Sequence, residues 1–280
     1  MVKNRRRLLL LVLSSFFAGV SFFPAAGPPS PRTIEIVGST SMEPLVKELA
    51  AAFMRTHPEV SISVFRGSSA LGIKTVRAEK GAIGTCARRL KPGEQTPEMV
   101  ATVIAWDGIA VVVNNTNPLS GLTMEELAGI FSGRIKNWKQ VGGPALDIAV
   151  IGREAGGETA SGTRVAFEEM VLQPRNLEVA GGLIIQGSSG MVKAIVAASP
   201  AAIGYLTMGE VDKSLKALKI DGVAPNKTTV QNRTYKLIRP FLFLTKGKPQ
   251  GVSKDFIDFV LGPAGQAIVA GKFAPVGRAK

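Results

Sequence analysis

The sequence predicts an α/β fold whose sheets are largely parallel. Short runs of β-branched residues alternate with segments in which apolar residues recur at helical spacing. This alternation is typical of strand–helix–strand units. The chain has 280 residues, and 45% of them are hydrophobic, which is enough to bury the core of one or two domains.

Strands and helices are predicted in turn from residue 33 to residue 206. The first helix has the clearest pattern, because Leu45, Leu49 and Phe53 recur at i, i+4 and i+8. The predicted strands are Thr33–Val37, Val60–Arg66, Thr102–Asp107, Ile109–Asn114, Ile148–Ile151 and Ala202–Leu206, and the predicted helices are Met42–Phe53, Ala70–Glu79, Met124–Phe131, Thr163–Leu172 and Met191–Ala198.

Threonines stand just before two of these helices. Thr40 lies three residues before Glu43, and Thr123 lies three residues before Glu126. In this pattern the hydroxyl accepts a backbone N–H of the first turn and the carboxylate reaches back to the capping residue. Both pairs are therefore predicted capping boxes.

The charge is strongly basic, with 34 Lys and Arg against 21 Asp and Glu, for a net charge of +13. A basic surface favours nucleic acid, acidic lipid or a small anionic ligand. Nucleic acid is not expected as a partner, because no basic run is interleaved with aromatic residues that could stack on bases.

The N-terminus has the pattern of an export signal, with basic Lys3–Arg7, apolar Leu8–Phe23 and a small-residue exit at Pro24–Gly27. We expect residues 1–26 to be a cleaved signal peptide and the mature protein to be periplasmic. An uncleaved membrane anchor is the alternative. No cysteine follows the apolar stretch, so a lipid anchor at that point is not expected.

Catalytic machinery is sparse in this sequence. The one histidine, His57, lies in a loop before a proline, and the one cysteine, Cys86, follows an apolar run. A Ser-His-Asp relay or a histidine-based metal site would have to rest on His57 alone. We therefore expect neither an enzyme nor a metal or other cofactor.

Four short runs of Gly with Ser or Thr directly precede helical patterns. A helix start has unpaired N–H groups and a positive dipole end, so it attracts an anion, although ordinary capping is the alternative for each run. Ligands of parallel sheets bind at the carboxyl ends of strands, where these runs lie. The runs are Gly38-Ser39-Thr40-Ser41, Gly67-Ser68-Ser69, Ser161-Gly162-Thr163 and Gly187-Ser188-Ser189-Gly190.

An arginine stands beside the third run. Arg153 follows an apolar strand and precedes Ser161, so its guanidinium could bind two oxygens of an oxyanion. A salt bridge to Glu154, Glu158 or a distant acid is an equal alternative.

Around these residues the chain resembles the phosphate-binding component of high-affinity phosphate ABC importers. The resemblance implies a two-lobed periplasmic-binding-protein fold of type II, with a mostly parallel sheet in each lobe and the ligand in the cleft between them. The motifs that carry it are Gly38-Ser-Thr-Ser-Met-Glu-Pro-Leu, Gly67-Ser-Ser, Trp106-Asp-Gly-Ile-Ala-Val-Val-Val-Asn, Ile130-Phe-Ser-Gly-Arg-Ile-Lys-Asn-Trp, Ser161-Gly-Thr-Arg, Ala202-Ile-Gly-Tyr, Arg239-Pro and Asp255-Phe-Ile-Asp-Phe-Val-Leu.

The resemblance also implies the site and the lobes. Residues 32–112 with 238–280 would form lobe one and residues 113–237 lobe two, closing on the anion as a hinge. The implied ligand residues are Thr40, Ser41, Ser68, Arg153, Ser161, Gly162 and Thr163, and further candidates are Ser39, Ser69, Arg88 and Asp107.

Two departures from the family pattern concern this site. Ala87 occupies the position where some members have an aspartate that accepts the proton of hydrogen phosphate, so Asp107 is the candidate replacement, with a helix cap or hinge hydrogen bond as its alternative. The segment 154–160 makes the spacing between Arg153 and Ser161 longer than is usual in the family. It either forms a bulged loop that keeps both ends in place or displaces Arg153.

The resemblance therefore implies a monomeric, non-enzymatic solute-binding protein. It would capture the phosphate ion outside the cytoplasmic membrane and deliver it to the membrane permease of an ABC importer. Alternatives are a binder of sulfate, molybdate or arsenate, and, from a different class, a secreted phosphatase.

Overall fold

The computed structural model describes residues 32–78 and 81–277, so the predicted signal peptide at residues 1–26 lies outside the described residues. No helix within those ranges is both long and apolar enough to span a membrane. The strands are β1 (Arg32–Ser39), β2 (Val60–Gly67), β3 (Ile83–Cys86), β4 (Met99–Asn114), β5 (Gly121–Leu122), β6 (Ala149–Arg153), β7 (Ile184–Gln186), β8 (Ala202–Thr207), β9 (Leu215–Ala217), β10 (Lys219–Ile220), β11 (Ile238–Lys246) and β12 (Ala274–Pro275).

The helices lie between these strands much as the periodicity predicts. The predicted helix at residues 124–131 has the predicted bounds, and the other four predicted helices agree within about three residues at each end. The helices are α1 (Glu43–Thr56), α2 (Ser69–Ala78), α3 (Met124–Phe131), α4 (Gly162–Val171), α5 (Ser189–Ala198), α6 (Lys227–Gln231), α7 (Gly251–Leu261) and α8 (Pro263–Lys272).

Ten strands form one curled sheet in the order β2-β1-β3-β11-β4-β8-β6-β7, with β9 and β12 paired to β4. Strand β1 is parallel to β2 and β3, and β6 is parallel to β7 and β8. The pairs that involve β4 or β11 are antiparallel. The sheet is therefore mixed: two parallel groups are joined through antiparallel strands, within the two-lobed α/β fold that the sequence predicts.

Strand β4 connects the two groups, because its partner changes along its length. Residues 99–108 pair with β11, whereas residues 109–113 pair with β8. The sequence predicts two strands here, separated at Gly108, but the structure has one continuous strand. Gly108 lies in a closely packed position, since an added Cβ would be 3.0 Å from Val230 Cγ2. The predicted lobe boundary at residue 112 falls within β4, and the lobe ranges stay a prediction.

The second half of β4 lies at the centre of the core. The five residues from Ile109 to Val113 have no exposed surface, which explains why this strand is a continuous apolar run instead of an alternating one. Nearby, Phe167 stacks on Tyr205 with ring centroids 4.2 Å apart, and Trp138 is also fully buried. Such packing holds the strand ends, and with them the site, in fixed positions.

Only one of the two predicted capping boxes is present. Thr123 Oγ1 accepts the N–H of Glu126 at 3.1 Å, and the Glu126 carboxylate accepts the N–H of Thr123 at 2.7 Å. The prediction for Thr40 and Glu43 is wrong, because α1 has Met42 as its N-cap and no side-chain cap. The hydroxyl of Thr40 is therefore not used to start the helix.

Candidate anion-binding site

Two groups of strand ends meet at this site. Because β1 is parallel to β2 and β3, their carboxyl ends share one edge, where Thr40, Ser68 and Ala87 follow. Because β6 is parallel to β7 and β8, the last residue of β6, Arg153, lies beside Gly187 at the end of β7. Helices α2, α4 and α5 begin at these edges, so their unpaired N–H groups face the same region.

Three buried hydroxyls join the two groups. Ser41 Oγ lies 2.8 Å from Thr163 Oγ1 and 3.0 Å from Ser189 Oγ. Each of the three side chains is at most 2% exposed. These contacts bring together residues that are more than 120 positions apart in the chain.

A cavity of about 400 Å³ is lined by residues that follow strands of both groups, among them Thr40 and Arg153. Thr40 lies in its wall and is 8% exposed, yet among the described residues its Oγ1 has no hydrogen-bond partner. Buried hydroxyls normally have partners, so this one indicates a ligand atom on the cavity side. The cavity is also lined by Ser68, Arg153, Gly187 and Ser188.

Arg153 is anchored at the end of β6 and is 2% exposed. Its Nε donates to the carbonyl of Gln186 at 3.0 Å, its Nη2 donates to the carbonyl of Gly187 at 3.1 Å, and its Nη1 donates to Ser189 Oγ at 3.3 Å. The Glu154 carboxylate lies 3.5 Å from Nη2. Burial lowers the pKa of this guanidinium, and the charge of Glu154 opposes that shift. The salt bridge to Glu154, one of the two sequence alternatives, is therefore present, and the ligand role of Arg153 stays a prediction.

The extra segment 154–160 closes on itself as a loop. The N–H of Ser161 donates to the carbonyl of Glu154 at 3.1 Å. The Arg164 guanidinium donates to the carbonyl of Arg153 at 2.8 Å, which ties the strand end to the following helix. Of the two outcomes considered for this segment, the structure has the bulged loop, with Arg153 and Ser161 both held at the site.

The hydroxyls of Ser161 and Ser68 both cap helices. Ser161 Oγ accepts the N–H of Arg164 at 3.4 Å, and Ser68 Oγ accepts the N–H of Leu71 at 3.0 Å. Ser68 Oγ also donates to the carbonyl of Glu158 in the extra loop. The proton of the Ser68 hydroxyl therefore already has a protein acceptor, and the cap role of Ser68 matches the capping alternative.

Gly162 has no room for a side chain. An added Cβ would lie 2.1 Å from Ser69 Oγ. The Ser69 hydroxyl is fully buried and accepts the N–H of Ala87 at 3.0 Å, so it ties α2 to the end of β3 and does not face the cavity. Ser39 ends β1, and its carbonyl accepts the N–H of Met42. Ser39 and Ser69 thus shape the loops around the site.

Asp107 is fully buried, but protein donors occupy both of its oxygens. Oδ1 accepts Thr207 Oγ1 at 2.8 Å and the N–H of Met208 at 3.2 Å, and Oδ2 accepts Arg239 Nε at 2.8 Å. Burial raises the pKa of the Asp107 carboxyl, and the Arg239 guanidinium opposes that shift. The geometry contradicts Asp107 as the phosphate proton acceptor and matches the hinge hydrogen bond, its alternative.

Arg239 stands behind the hydroxyls as the partner of Asp107. It is 1% exposed, and its Nη1 donates to Thr163 Oγ1 at 2.7 Å and to the carbonyl of Ala87 at 3.1 Å. In the sequence this arginine belongs to the Arg239-Pro motif, which predicts no role for its side chain. Its contact with Thr163 shows that it orients one of the site hydroxyls.

Arg88 does not lie in the site, contrary to its candidate role. It is 2% exposed and makes a bidentate ion pair with Glu94, with N–O distances of 2.6 and 2.8 Å. A second bond from Nη1 to the carbonyl of Arg89 holds the guanidinium in that loop. Its charge is therefore used for packing the chain after β3.

Neither His57 nor Cys86 belongs to the site. His57 stacks on Phe53 at the end of α1, with ring centroids 4.0 Å apart. Cys86 is fully buried in β3, and burial raises the pKa of its thiol, so the reactive thiolate is disfavoured. Within residues 32–78 and 81–277, no group of three or more His, Cys, Asp and Glu side chains could hold a metal ion.

The site as a whole offers donors to a small anion. Hydroxyls, helix N–H groups and one incompletely neutralised guanidinium converge on it, whereas the fully buried carboxylate faces Arg239. Such an arrangement stabilises negative charge through hydrogen bonds and through the charge of the guanidinium.

Comparison with known proteins gives the family. Residues 24–264 match a family model described as a PBP superfamily domain. The phosphate-binding protein PstS of Bacillus subtilis strain 168 is 35% identical over 231 residues, which are 81% of this chain and 75% of that protein. The chain belongs to the PstS family of the PBP superfamily.

Solved structures of this family have the same fold. A putative phosphate ABC transporter substrate-binding protein from Clostridium perfringens, solved with bound phosphate, is 37% identical with a TM-score of 0.81. The match covers 88% of this chain and all of that one. An ABC-type phosphate transport receptor from Vibrio cholerae is 34% identical with a TM-score of 0.72, covering 86% of this chain and all of the other.

Proposed function

We propose that this protein captures inorganic phosphate outside the cytoplasmic membrane and delivers it to the permease of an ABC importer. The observation that carries the proposal is the cluster of Ser41, Thr163 and Ser189, which joins hydroxyls from both strand groups beside Arg153. The names of the PstS relatives support phosphate as the ligand. A phosphate would replace direct contacts between the groups by bonds to its own oxygens.

Binding would depend on many uncharged donors with one principal charge. Each hydrogen bond from a neutral or charged donor to an anion contributes roughly 1.5–3 kcal/mol in favourable geometry. Because the donors are distributed over both strand groups, the anion stabilises the arrangement in which the groups are close together. A permease that separates the groups would break half of these bonds and release the anion.

The carboxylate assigned to phosphate selectivity in this proposal is that of Glu154. It lines the same cavity as Thr40 and Arg153, and its side chain is 30% exposed. Hydrogen phosphate carries a proton that a carboxylate can accept, whereas sulfate has none at neutral pH and would be repelled. Glu154 would thus take the role left open by Ala87 and by the fully engaged Asp107.

The route outside the membrane is part of the same proposal. The basic, apolar and small-residue pattern of residues 1–27 supports export and cleavage, and the PstS relatives support a binding rather than an enzymatic role. The protein would act as a soluble monomer in the periplasm and meet the permease there.

Calorimetric titration tests this function directly. The protein without residues 1–26 is stripped of phosphate and titrated with phosphate and then with sulfate at neutral pH. We expect tight one-to-one binding of phosphate and at least about 100-fold weaker binding of sulfate. Equal binding of sulfate would identify a general oxyanion binder, and turnover of a phosphate ester that survives repurification would identify a phosphatase.

A further inference from the structure

Ser189 is a buried polar residue of the fourth Gly-Ser run, and the family resemblance does not assign it to the ligand. It is the first residue of α5 and is 1% exposed. Its Oγ lies 3.0 Å from Ser41 Oγ and accepts Arg153 Nη1 at 3.3 Å. It therefore contacts one predicted ligand residue from each strand group.

Ser189 is not needed to start its helix. The N-cap of α5 is Ser188, whose Oγ accepts the N–H of Met191 at 3.2 Å. A hydroxyl at the next position that is fully buried, and turned toward Ser41 and Arg153, requires another explanation. A matched control is a capping residue outside the cavity lining, and Thr123 at the start of α3 is one.

The hydrogen bonds of Thr163, Ser41 and Ser189 fix how their protons can be used. Arg239 donates to Thr163 and Arg153 donates to Ser189, and both guanidinium groups are donors only. The two contacts between the hydroxyls use two of the three O–H protons. One proton is left over in every arrangement of these bonds.

The hydroxyl with the remaining proton can only donate. If it belongs to Ser189, the lone pairs of that oxygen are filled by Arg153 and Ser41. If the remaining proton belongs to Thr163, the lone pairs of Thr163 Oγ1 accept from Arg239 and Ser41. If it belongs to Ser41, the lone pairs of Ser41 Oγ accept from Thr163 and Ser189. An acceptor-only partner such as an anion oxygen fits this free donor.

A second feature of the same place points to a ligand. Thr40 Oγ1 is buried in the wall of the cavity that Gly187 and Ser188 also line, and among the described residues it has no hydrogen-bond partner. Two unused donors, one from the cluster and one from Thr40, therefore lie around the start of α5. The first backbone N–H groups of that helix add further donors.

We propose that Ser189 is an anion-binding residue, donating its hydroxyl to the bound phosphate and linking Arg153 to Ser41. This inference rests on the proposed function of the site. The Gly-Ser run after β7 thereby contacts the ligand through the Ser189 side chain as well as through the N–H groups at the start of α5.

Phosphate titrations of Ser189→Ala and Thr123→Ala test the proposal. We expect Ser189→Ala to weaken phosphate binding about tenfold or more, because a bond to a charged ligand is lost. Thr123→Ala removes the cap of α3, which does not line the cavity, so it should lower the melting temperature but change the affinity by less than about threefold. Unchanged affinity in Ser189→Ala, with the wild type binding phosphate, would overturn the inference. A wild type that does not bind phosphate would instead refute the proposed function.

A second comparison separates a ligand from a residue that only holds Arg153 in place. Arg153→Lys keeps the positive charge but removes the guanidinium nitrogen that contacts Ser189. In this background a ligand role predicts that Ser189→Ala still weakens binding about tenfold. If the second substitution causes no further loss, Ser189 acts only through Arg153 and the proposal is wrong.

Discussion

The two buried arginines of the site have the same chemistry but opposite surroundings. Arg239 faces Asp107, a carboxylate with no exposed surface, and its charge is neutralised within the protein. Arg153 faces carbonyls, a hydroxyl and the partly exposed Glu154. The comparison teaches that burial alone does not mark a ligand residue. The partner decides whether the charge remains available for an anion.

The largest effect is expected from the Arg239 side. Asp107→Asn leaves a buried guanidinium without its counter-charge, which should lower the free energy of unfolding by about 3–5 kcal/mol. Denaturant unfolding in phosphate-free buffer measures this, with the exposed Asp147→Asn as control, expected to change it by less than about 0.5 kcal/mol. Because Asp107 faces protein donors, the phosphate-to-sulfate preference should stay the same. A stable variant with altered preference would show that Asp107 is the acceptor after all.

A substitution of Arg153 should lower the phosphate affinity, whereas the substitution of Asp107 lowers the stability. Arg153→Ala removes the principal charge, so phosphate affinity should fall at least about 100-fold. Calorimetric titration measures the loss, and Arg175→Ala, which removes an arginine paired with Glu125 elsewhere, is the matched control. If both variants bind equally well, the charge of Arg153 is not part of the site.

An uncharged donor should matter less than the guanidinium. Thr40→Val keeps the shape of the side chain and removes the hydroxyl that has no partner among the described residues. We expect about tenfold weaker phosphate binding without loss of stability, because no protein hydrogen bond is broken. Thr56→Val, which removes a hydroxyl that donates to the carbonyl of Phe53, should leave affinity unchanged. Full affinity in Thr40→Val would remove Thr40 from the site.

The smallest expected effect concerns selectivity. Glu154→Gln removes the carboxylate next to Arg153, so sulfate should bind more tightly. The ratio of the phosphate affinity to the sulfate affinity should fall several-fold. Glu125→Gln changes a carboxylate that is paired with Arg175 outside the cavity lining, and it serves as the control. An unaltered ratio of the two affinities in Glu154→Gln would mean that the phosphate proton is accepted elsewhere.

The sequence predicts local features of this fold well. The alternating segments predict five of the helices, and the Gly-Ser runs mark the strand ends that meet at the site. Strand β3 has only four residues, too few for a clear local pattern. Strand β11 is not among the predicted strands, although residues 241–244 form a continuous apolar run. Gly108 suggests a break in β4, although the strand is continuous there and the glycine packs closely against Val230.

Partners that are distant in the chain could not be predicted in this way. Asp107 and Arg239 are 132 residues apart, and Ser41 and Ser189 are 148 residues apart. The ion pair changes Asp107 from a proposed ligand residue into a structural one, while the hydroxyl contact brings Ser189 into the site. Local sequence shows which residues can bind an anion, but only the fold shows which of them already have partners.

A crystal structure of the phosphate complex tests the central contrast between the two arginines most directly. We expect the phosphate oxygens to lie within hydrogen-bonding distance of Arg153 and of the Thr40 hydroxyl, with Arg239 still paired to Asp107. A phosphate bound to the Arg239 guanidinium, with Asp107 displaced and Arg153 held only by protein atoms, would contradict this account.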